Sequence, residues 1–296
     1  MSPVPQFLLP EEHDLIIIGA GPAGTSAAIT AAGHKADFLL MDQHPPMEKV
    51  RGYGRIANYP GLGIIGGEKL AQSFVNHLSA LQIPVHRERV FQITRDAYAF
   101  QIYGHGKVYR ARAVLLALGI VYEKKIPGEE ALLGRGVSYC LTCDGLLYAG
   151  KSVGVIAETP EGEPEAVSLR QDYGAQVIFY ATYACSARES LPEVYPKASI
   201  QRLERTTRGI RIVAQGLDDR EVDGVFIFRQ GASPASLLPG VAMDKHHVQV
   251  NKDMHTNVPG LFCAGDCTGP PYQISKAAGE GQVAALSAVK YLTQAR

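Results

Sequence analysis

Two cysteines stand two residues apart, Cys140 and Cys143, and Asp144 follows the second directly. Two thiols at this spacing at the start of a helical turn can close a small disulfide, and the helix start favours the attacking thiolate. Asp144 is placed either to shuttle the proton of the second thiol or to serve only as an acid in a first helical turn. One half of a zinc site is the alternative, but the chain has neither a second CxxC nor an HxxxH pattern. We therefore predict a redox-active pair and no bound metal.

A glycine-rich turn follows the apolar run DLIIIG near the start of the chain. Backbone amides at a helix N-terminus bind a pyrophosphate when no side chain stands in the way, and glycines at these spacings leave that room. An acid, Asp42, lies 23 residues after Gly19, where a carboxylate can accept hydrogen bonds from ribose hydroxyls. The pattern predicts that a dinucleotide binds Gly19, Gly21, Pro22, Ala23, Gly24 and Asp42.

Both motifs need elements that position them, and the apolar pattern supplies two similar strand–loop–helix units. The first predicts a strand at 14–19, a helix to Gly33, a strand at 38–41 and an amphipathic helix at about 66–82. Short alternating runs at 98–103 and 108–111 precede a buried strand at 113–119. The second unit starts after Gly150. Its predicted elements are strands at 152–157, 175–181, 199–205, 209–215 and 222–228, and the last helix of the chain is expected at about 273–292.

The length and composition fit a protein of two globular domains. The chain has 296 residues, 46% of them hydrophobic, and its 29 basic residues balance 29 acidic ones. This balance argues against a nucleic-acid binder, and no apolar stretch reaches the roughly 18 residues that a bilayer requires. The N-terminus lacks the pattern of a signal peptide, so we expect a cytoplasmic protein. Five cysteines are too few, and odd in number, for a disulfide framework.

Four segments in order along the chain resemble the low-molecular-weight thioredoxin reductases: GAGPAG at 19–24, ANYPG at 57–61, GRGVSYCLTCDG at 134–145 and NVPGLFCAGDCTGPPYQISKAAGEGQVAAL at 257–286. The resemblance implies an α/β fold of two Rossmann-like domains, each with a three-layer ββα architecture. It implies a discontinuous FAD-binding domain over 1–117 and 243–296, and a central domain over 118–242 that carries the CxxC motif on a degenerate NADPH-binding fold. It also implies a homodimer.

The same resemblance assigns roles to residues. Besides the glycine turn and Asp42, it implies that Asn58, Val90 and Gly119 hold the adenine half of FAD or flank the flavin. Asp266 would bind the ribityl–pyrophosphate region, and Gln273 and Ile274 would lie against the isoalloxazine. Cys143 would face the flavin, Cys140 would attack the disulfide of a thioredoxin-like substrate, and Asp144 would be the acid–base residue.

The chain departs from that family where NADPH would bind. Where the family has a glycine loop, this chain reads VIAETPEGEPE at 155–165. Ala157, Glu158 and Thr159 place side chains where a phosphate would approach the backbone, and Pro160 has no amide to donate. The carboxylates of this segment would also repel a phosphate. The basic cluster expected for a 2′-phosphate is replaced by ATYACSA at 181–187. We predict that NADPH is not the ordinary donor. The chain then resembles the ferredoxin-dependent flavin thioredoxin reductases and the diflavin-linked disulfide oxidoreductases, so the donor is a ferredoxin or a second flavin.

Three other functions keep FAD and the CxxC motif: an oxygen-using dithiol oxidase, a conventional NADPH-dependent thioredoxin reductase, and a flavin redox sensor. A basic stretch from Lys197 to Arg211 is either a surface that steers an acidic donor or a solvated face. Cys263 and Cys267 favour packing over a second redox pair.

Overall fold

The computed structural model describes residues 10–105, 107–119, 125–139, 141–160, 162–185, 190–229 and 233–294, without the side chains of Thr142 and Cys143. Two compact units emerge from the contacts within the chain. The first combines Met1–Tyr122 with Ala232–Arg296, and the second spans Glu123–Gly231. The first unit is therefore discontinuous in sequence.

The first unit opens with a βαβ arrangement whose strands are buried on both faces. Leu15, Ile16 and Ile17 are fully buried, as expected for a central strand of a parallel sheet. The elements of this part are β1 (Glu11–Ile18), α1 (Pro22–Gly33), β2 (Phe38–Asp42), α2 (Glu48–Arg51), α3 (Gly67–Ala80), β3 (Val85–Arg87), β4 (Gln92–Arg95), β5 (Phe100–Tyr103) and β6 (Val108–Leu116). The sequence predicted two strands where β6 is one. It is continuous because it runs beside β1 from Tyr109 to Leu116, while only its first half also pairs with β5.

The second unit contains a parallel sheet in the order β10-β9-β8-β14-β7 and an antiparallel sheet in the order β11-β12-β13. Its elements are α4 (Glu129–Leu132), β7 (Val137–Ser138), α5 (Leu141–Asp144), β8 (Ser152–Ala157), α6 (Gly162–Gln171), β9 (Gln176–Ala181), β10 (Glu193–Tyr195), β11 (Ile200–Arg205), β12 (Ile210–Ala214), β13 (Arg220–Val222) and β14 (Gly224–Phe228). Helix α6 packs on the parallel sheet through Ala166 and Leu169. On the opposite face Ile212 of the antiparallel sheet fits over Gly154, where a Cβ would lie 2.3 Å from the Ile212 side chain.

The chain then returns to the first unit. It forms α7 (Pro234–Leu237), β15 (Met243–Asp244), β16 (His247–Val248), β17 (Leu261–Cys263) and α8 (Ile274–Gln294). Strand β17 pairs in parallel with β6, which extends the parallel part of the sheet to the order β3-β2-β1-β6-β17. The predicted α/β fold with Rossmann-like parallel sheets is confirmed.

Helices α1 and α8 cross at very short range because small residues line their contact. A Cβ at Gly281 would lie 2.0 Å from the carbonyl oxygen of Ala23, so α8 approaches the backbone of α1 directly. The facing side chains are alanines, with Ala27, Ala284 and Ala288 fully buried. This contact fixes the N-terminus of α1, which follows the glycine turn. No helix among the described residues is both long and apolar enough to cross a membrane.

Candidate functional site

The predicted FAD residues of the first unit gather at one edge of its parallel sheet. Gly19 follows β1, Asp42 ends β2, Val90 follows β3, Gly119 follows β6 and Asp266 follows β17. These five strands are neighbours, and in an open α/β sheet the ligand binds outside the carboxyl ends of the strands. The sequence could not give this adjacency, because Asp42 and Asp266 are 224 positions apart in the chain.

In the glycine turn, two glycines have no room for a side chain, and a third faces open space. Gly19 has φ +107°, and a Cβ there would lie 2.3 Å from the carbonyl oxygen of Ala117. A Cβ at Gly24 would lie 1.7 Å from the carbonyl oxygen of Gly19, so α1 packs tightly on the turn. Gly21 meets nothing within 4 Å, which leaves a cradle before the helix that a side chain would fill. Pro22 begins α1, where a missing amide costs no hydrogen bond.

The Asp42 carboxylate is held by the turn itself. Its Oδ2 accepts from the Ala20 amide at 2.6 Å and its Oδ1 from the His44 amide at 2.8 Å. Each carboxylate oxygen has a further lone pair, so the group can still accept from ribose hydroxyls. These two hydrogen bonds orient the Asp42 carboxylate and still leave it lone pairs with which to bind the ribose, as predicted.

Asp266 carries an orphaned buried atom. Its Oδ1 is buried and accepts no hydrogen bond within the described residues. Burial raises the pKa of Asp266 above its ordinary value, although the charges of Lys276 and Lys49 act in the opposite direction. A buried carboxylate oxygen without a partner is costly, and a ligand hydroxyl or amide would relieve that cost. Asp266 and the open cradle at Gly21 therefore fit a dinucleotide cofactor.

A hydrogen-bonded cluster that sequence reasoning missed supports the turn before Asp266. Gly265 has φ +89°, and its amide donates to Glu280 Oε2 at 2.9 Å. Lys276 Nζ donates to the carbonyls of Gly265 and Gly269 and forms an ion pair with Glu280 at 3.0 Å. The i, i+4 spacing of Lys276 and Glu280 on α8 was the available signal. These side chains fix where Asp266 points.

The remaining predicted FAD residues lie in the same unit. The Asn58 amide donates to Gln273 Oε1, which joins the loop after α2 to the start of α8. Ile274 packs against the small cluster around Met47 and Val50. Gly119 has φ +68°, and a Cβ there would lie 3.5 Å from Lys49 Nζ. Val90 packs against the core on the other face of the sheet.

The predicted redox motif is described only in part. Cys140 lies outside the described residues, as does the side chain of Cys143, so the geometry of the thiol pair stays a prediction. The backbone places Cys143 and Asp144 in the short helix α5, which follows β7 at the carboxyl edge of the parallel sheet in the second unit.

The loop after β8 in the second unit differs from the glycine turn in the first. The amides of Glu158, Gly162 and Glu163 donate to the carbonyls of Phe228, Thr159 and Pro160, at 2.8, 3.1 and 3.0 Å. Proline itself has no amide to offer. A phosphate at this helix start would need free amides, and these are satisfied within the protein.

Three acidic residues of this loop that the structure describes, Glu158, Glu163 and Glu165, are hydrogen-bonded or buried. Glu158 accepts from Arg229 Nε at 3.0 Å, Glu163 accepts from the Tyr183 hydroxyl at 2.9 Å, and Glu165 is buried. Repulsion of phosphate by Glu158 is therefore weaker than the sequence suggested. Closure of the loop by its own hydrogen bonds is the stronger obstacle.

Three of the five basic residues in the stretch at 197–211 have partners within the unit. Glu204 forms ion pairs with Arg202 and Arg211, and Glu221 lies opposite Arg211 in the β12–β13 register. The Arg205 guanidinium donates to the carbonyl of Arg135. These contacts favour a solvated face over a surface that steers a donor.

Cys263 and Cys267 are buried, and their sulfur atoms lie 2.9 Å apart. They are free thiols in the structure, and Cys267 Sγ also contacts the carbonyl of Ala264 at 3.2 Å. Their surroundings are the apolar core of the first unit, in keeping with a packing role.

A protein-family model and a curated relative both match most of this chain. The family model described as pyridine nucleotide-disulphide oxidoreductase matches residues 13–157 and 193–281. The thioredoxin reductase of Bacillus subtilis is 29% identical over 95% of this chain and 95% of its own length.

Two solved structures are similar over the whole chain. A ferredoxin-flavin thioredoxin reductase from Clostridium acetobutylicum is 34% identical, with a TM-score of 0.84 over 97% of this chain and 100% of that one. An atypical thioredoxin reductase from Desulfovibrio vulgaris Hildenborough is 30% identical, with a TM-score of 0.72 over 95% of this chain and 98% of that one. The resemblance to thioredoxin reductases is confirmed.

Proposed function

The chain belongs to the pyridine nucleotide-disulphide oxidoreductase family, and within it we propose a thioredoxin reductase-like enzyme that takes electrons from a donor other than NADPH. With FAD held by the first unit as the electron carrier, Cys140 and Cys143 would form the disulfide that is reduced, and a thioredoxin-type protein disulfide would be the substrate that they reduce in turn. The donor we favour is a reduced ferredoxin, with a second flavin as the alternative. The first unit would be the FAD domain and the second unit the redox domain, in a homodimeric protein of the cytoplasm.

The observation that carries this proposal is the contrast between two helix starts. Gly21 precedes α1 with open space at its Cβ position, whereas the start of α6 is closed by the amides of Gly162 and Glu163, which donate to loop carbonyls. A dinucleotide phosphate needs the first arrangement, and the second disfavours it because its amides already have partners. The sequence after β9 has no basic side chain for a 2′-phosphate from Thr182 to Ala187, and the first one to follow, Arg188, lies outside the described residues.

The similarity to a ferredoxin-flavin thioredoxin reductase supports the choice of donor. The name of that protein includes ferredoxin, and the match covers 97% of this chain. The named activity of the other relatives supports thioredoxin as the substrate.

The residues of the first unit would hold FAD in named ways. The turn at Gly19–Gly24 would take the pyrophosphate, Asp42 the ribose, and Asp266 a hydroxyl through its unpaired Oδ1. When bound, FAD would supply a carrier of two electrons. Asn58, Val90, Gly119, Gln273 and Ile274 would flank it.

The cysteines would perform thiol–disulfide exchange. Two electrons and two protons would reduce the Cys140–Cys143 disulfide to two thiols. The Cys140 thiolate would then attack a substrate disulfide, which forms a mixed disulfide and expels the other substrate sulfur as a thiolate. Cys143 then attacks Cys140, which releases the reduced substrate and restores the first bond. Asp144 would exchange the proton of Cys143 during these steps.

Anaerobic stopped-flow spectroscopy of the flavin absorbance tests the donor. The purified protein is mixed with excess NADPH or with excess reduced ferredoxin. We expect bleaching within a catalytic turnover with ferredoxin and none with NADPH, since the phosphate site is closed. Complete bleaching by NADPH at that rate would overturn the proposal. Trapping of a thioredoxin by Cys143→Ser as a mixed disulfide tests the substrate, and Cys140→Ser is the matched control that should trap none.

A further inference from the structure

A buried ion pair joins the carboxyl ends of three neighbouring strands in the second unit. Arg229 follows β14, Glu158 follows β8 and Tyr139 follows β7, and these strands are adjacent in the order β8-β14-β7. This edge is where an α/β sheet ordinarily binds its ligand. Here the chain's own charged side chains cover it.

The Arg229 guanidinium makes three directed contacts. Its Nη1 and Nη2 donate to the two carboxylate oxygens of Glu129 at 2.7 and 2.6 Å, and its Nε donates to Glu158. Arg229 is 7% exposed and Glu129 is fully buried. A planar fork that pairs with both oxygens of a carboxylate holds it in position and orientation, which a lysine cannot do.

Glu129 also accepts hydrogen bonds from the chain segment that precedes the redox motif. Its Oε1 accepts from the Tyr139 hydroxyl and its Oε2 from the Ile126 amide. The Tyr139 ring also lies 5.9 Å from the Arg229 guanidinium carbon. The carboxylate therefore accepts four hydrogen bonds, and one of them comes from the residue that precedes Cys140.

Glu129 and Arg229 each stabilise the charged form of the other in the protein interior. Burial acts to raise the pKa of Glu129, but the hydrogen bonds and charge of Arg229 outweigh it and lower that pKa. Burial acts to lower the pKa of Arg229, and Glu129 reverses this in the same way. Removal of either partner would leave a buried charge alone, so the geometry of the pair is tightly fixed.

We propose that Arg229, acting through Glu129 and Tyr139, is a positioning residue for the Cys140–Cys143 couple. Through Glu129 it holds the hydroxyl end of Tyr139, the residue directly before Cys140 in the sequence. A constraint on the chain before Cys140 lowers the conformational entropy that is lost when a disulfide closes, and so favours the disulfide over the dithiol. This proposal rests on the proposed redox function of the two cysteines, since it concerns their equilibrium.

Tyr139→Phe removes one hydroxyl and keeps the ring. Tyr195→Phe is the matched control, because the Tyr195 hydroxyl in the same unit also donates to a carboxylate, that of Glu193, and accepts from Arg220. Each FAD-loaded protein is equilibrated with mixtures of reduced and oxidised dithiothreitol, then quenched by alkylation and analysed by mass spectrometry. Two cysteine thiols give up two electrons and two protons to the oxidised reagent as the S–S bond forms.

We expect the equilibrium constant to shift toward the dithiol by about tenfold in Tyr139→Phe, which corresponds to about 30 mV, and to stay unchanged in Tyr195→Phe. Arg229→Lys should shift it in the same direction, since charge is kept and the fork is lost. Unchanged equilibria in both Tyr139→Phe and Arg229→Lys, or an equal shift in Tyr195→Phe, would overturn the proposal. A wild-type protein that forms no Cys140–Cys143 disulfide would instead refute the proposed function.

Discussion

At the scale of single residues, the buried carboxylate of Asp266 lowers the stability of the folded protein but would strengthen the binding of FAD. Its Oδ1 is buried without a partner and burial raises its pKa. A carboxyl group whose pKa is higher in the folded protein than in the unfolded chain costs stability once it ionises. The cost is absent below the pKa of the unfolded chain and complete above that of the folded protein.

We predict opposite effects of Asp266→Asn on stability and on FAD binding. In FAD-free protein the variant should unfold at a higher temperature than wild type at pH 7, and this gain should shrink as the pH falls and vanish below the ordinary aspartate pKa of about 3.9. Its affinity for FAD should fall about tenfold, because a charged hydrogen bond to the ligand is lost.

Thermal unfolding at several pH values and fluorescence titration with FAD measure these two effects. Asp253→Asn changes an exposed carboxylate of the same unit and should alter neither. Unchanged FAD affinity in Asp266→Asn would remove Asp266 from the cofactor site.

At the scale of elements, the contact of α1 with α8 positions the glycine turn. Gly281 permits this contact, since a Cβ there would lie 2.0 Å from the Ala23 carbonyl oxygen. Gly279, two residues earlier on the same helix, is exposed, and a Cβ there would meet nothing within 4 Å. Two glycines of one helix therefore have different reasons to be present.

We predict that alanine at these two positions changes stability in opposite directions. Gly281→Ala should lower the free energy of unfolding by about 1–3 kcal/mol, because α8 must move away from α1. Gly279→Ala should raise it by up to about 1 kcal/mol, since alanine favours the helix and clashes with nothing. Urea unfolding of both variants measures the difference, and a stable Gly281→Ala protein with unchanged FAD affinity would contradict the role given to this contact.

At the scale of the whole molecule, the two units carry related sheets with different edges. In the first, the carboxyl edge offers an open turn at Gly21 and an unpaired oxygen at Asp266. In the second, the corresponding edge is covered by Arg229, Glu129 and Glu158. The described residues thus provide one dinucleotide cradle.

We therefore predict one FAD per chain. Absorbance of the flavin released from a known amount of purified protein, compared with the peptide content, measures this ratio. A ratio near one fits the ferredoxin donor, because no second flavin is then resident. A ratio near two would replace it with the second-flavin alternative.

The sequence alone was sufficient for the fold class and for the local motifs. Apolar runs such as 15–18 predict buried parallel strands, and the glycine spacing at 19–24 predicts a cofactor turn, because strand burial and tight turns depend on nearby residues. The loss of glycines after β8 was also visible there. The boundaries of α3 and α8 shifted by one or two residues, as helix ends do.

Only the tertiary structure decided which distant side chains meet. Glu158 looked like a free negative charge in the sequence, yet it pairs with Arg229, which stands 71 positions later. The sequence left the basic stretch at 197–211 as either a docking surface or a solvated face, and strand register decides that Glu204 and Glu221 lie beside its arginines. Charge interactions fall off over a few ångströms, so their partners are set by strand order and register, which short-range sequence patterns do not encode.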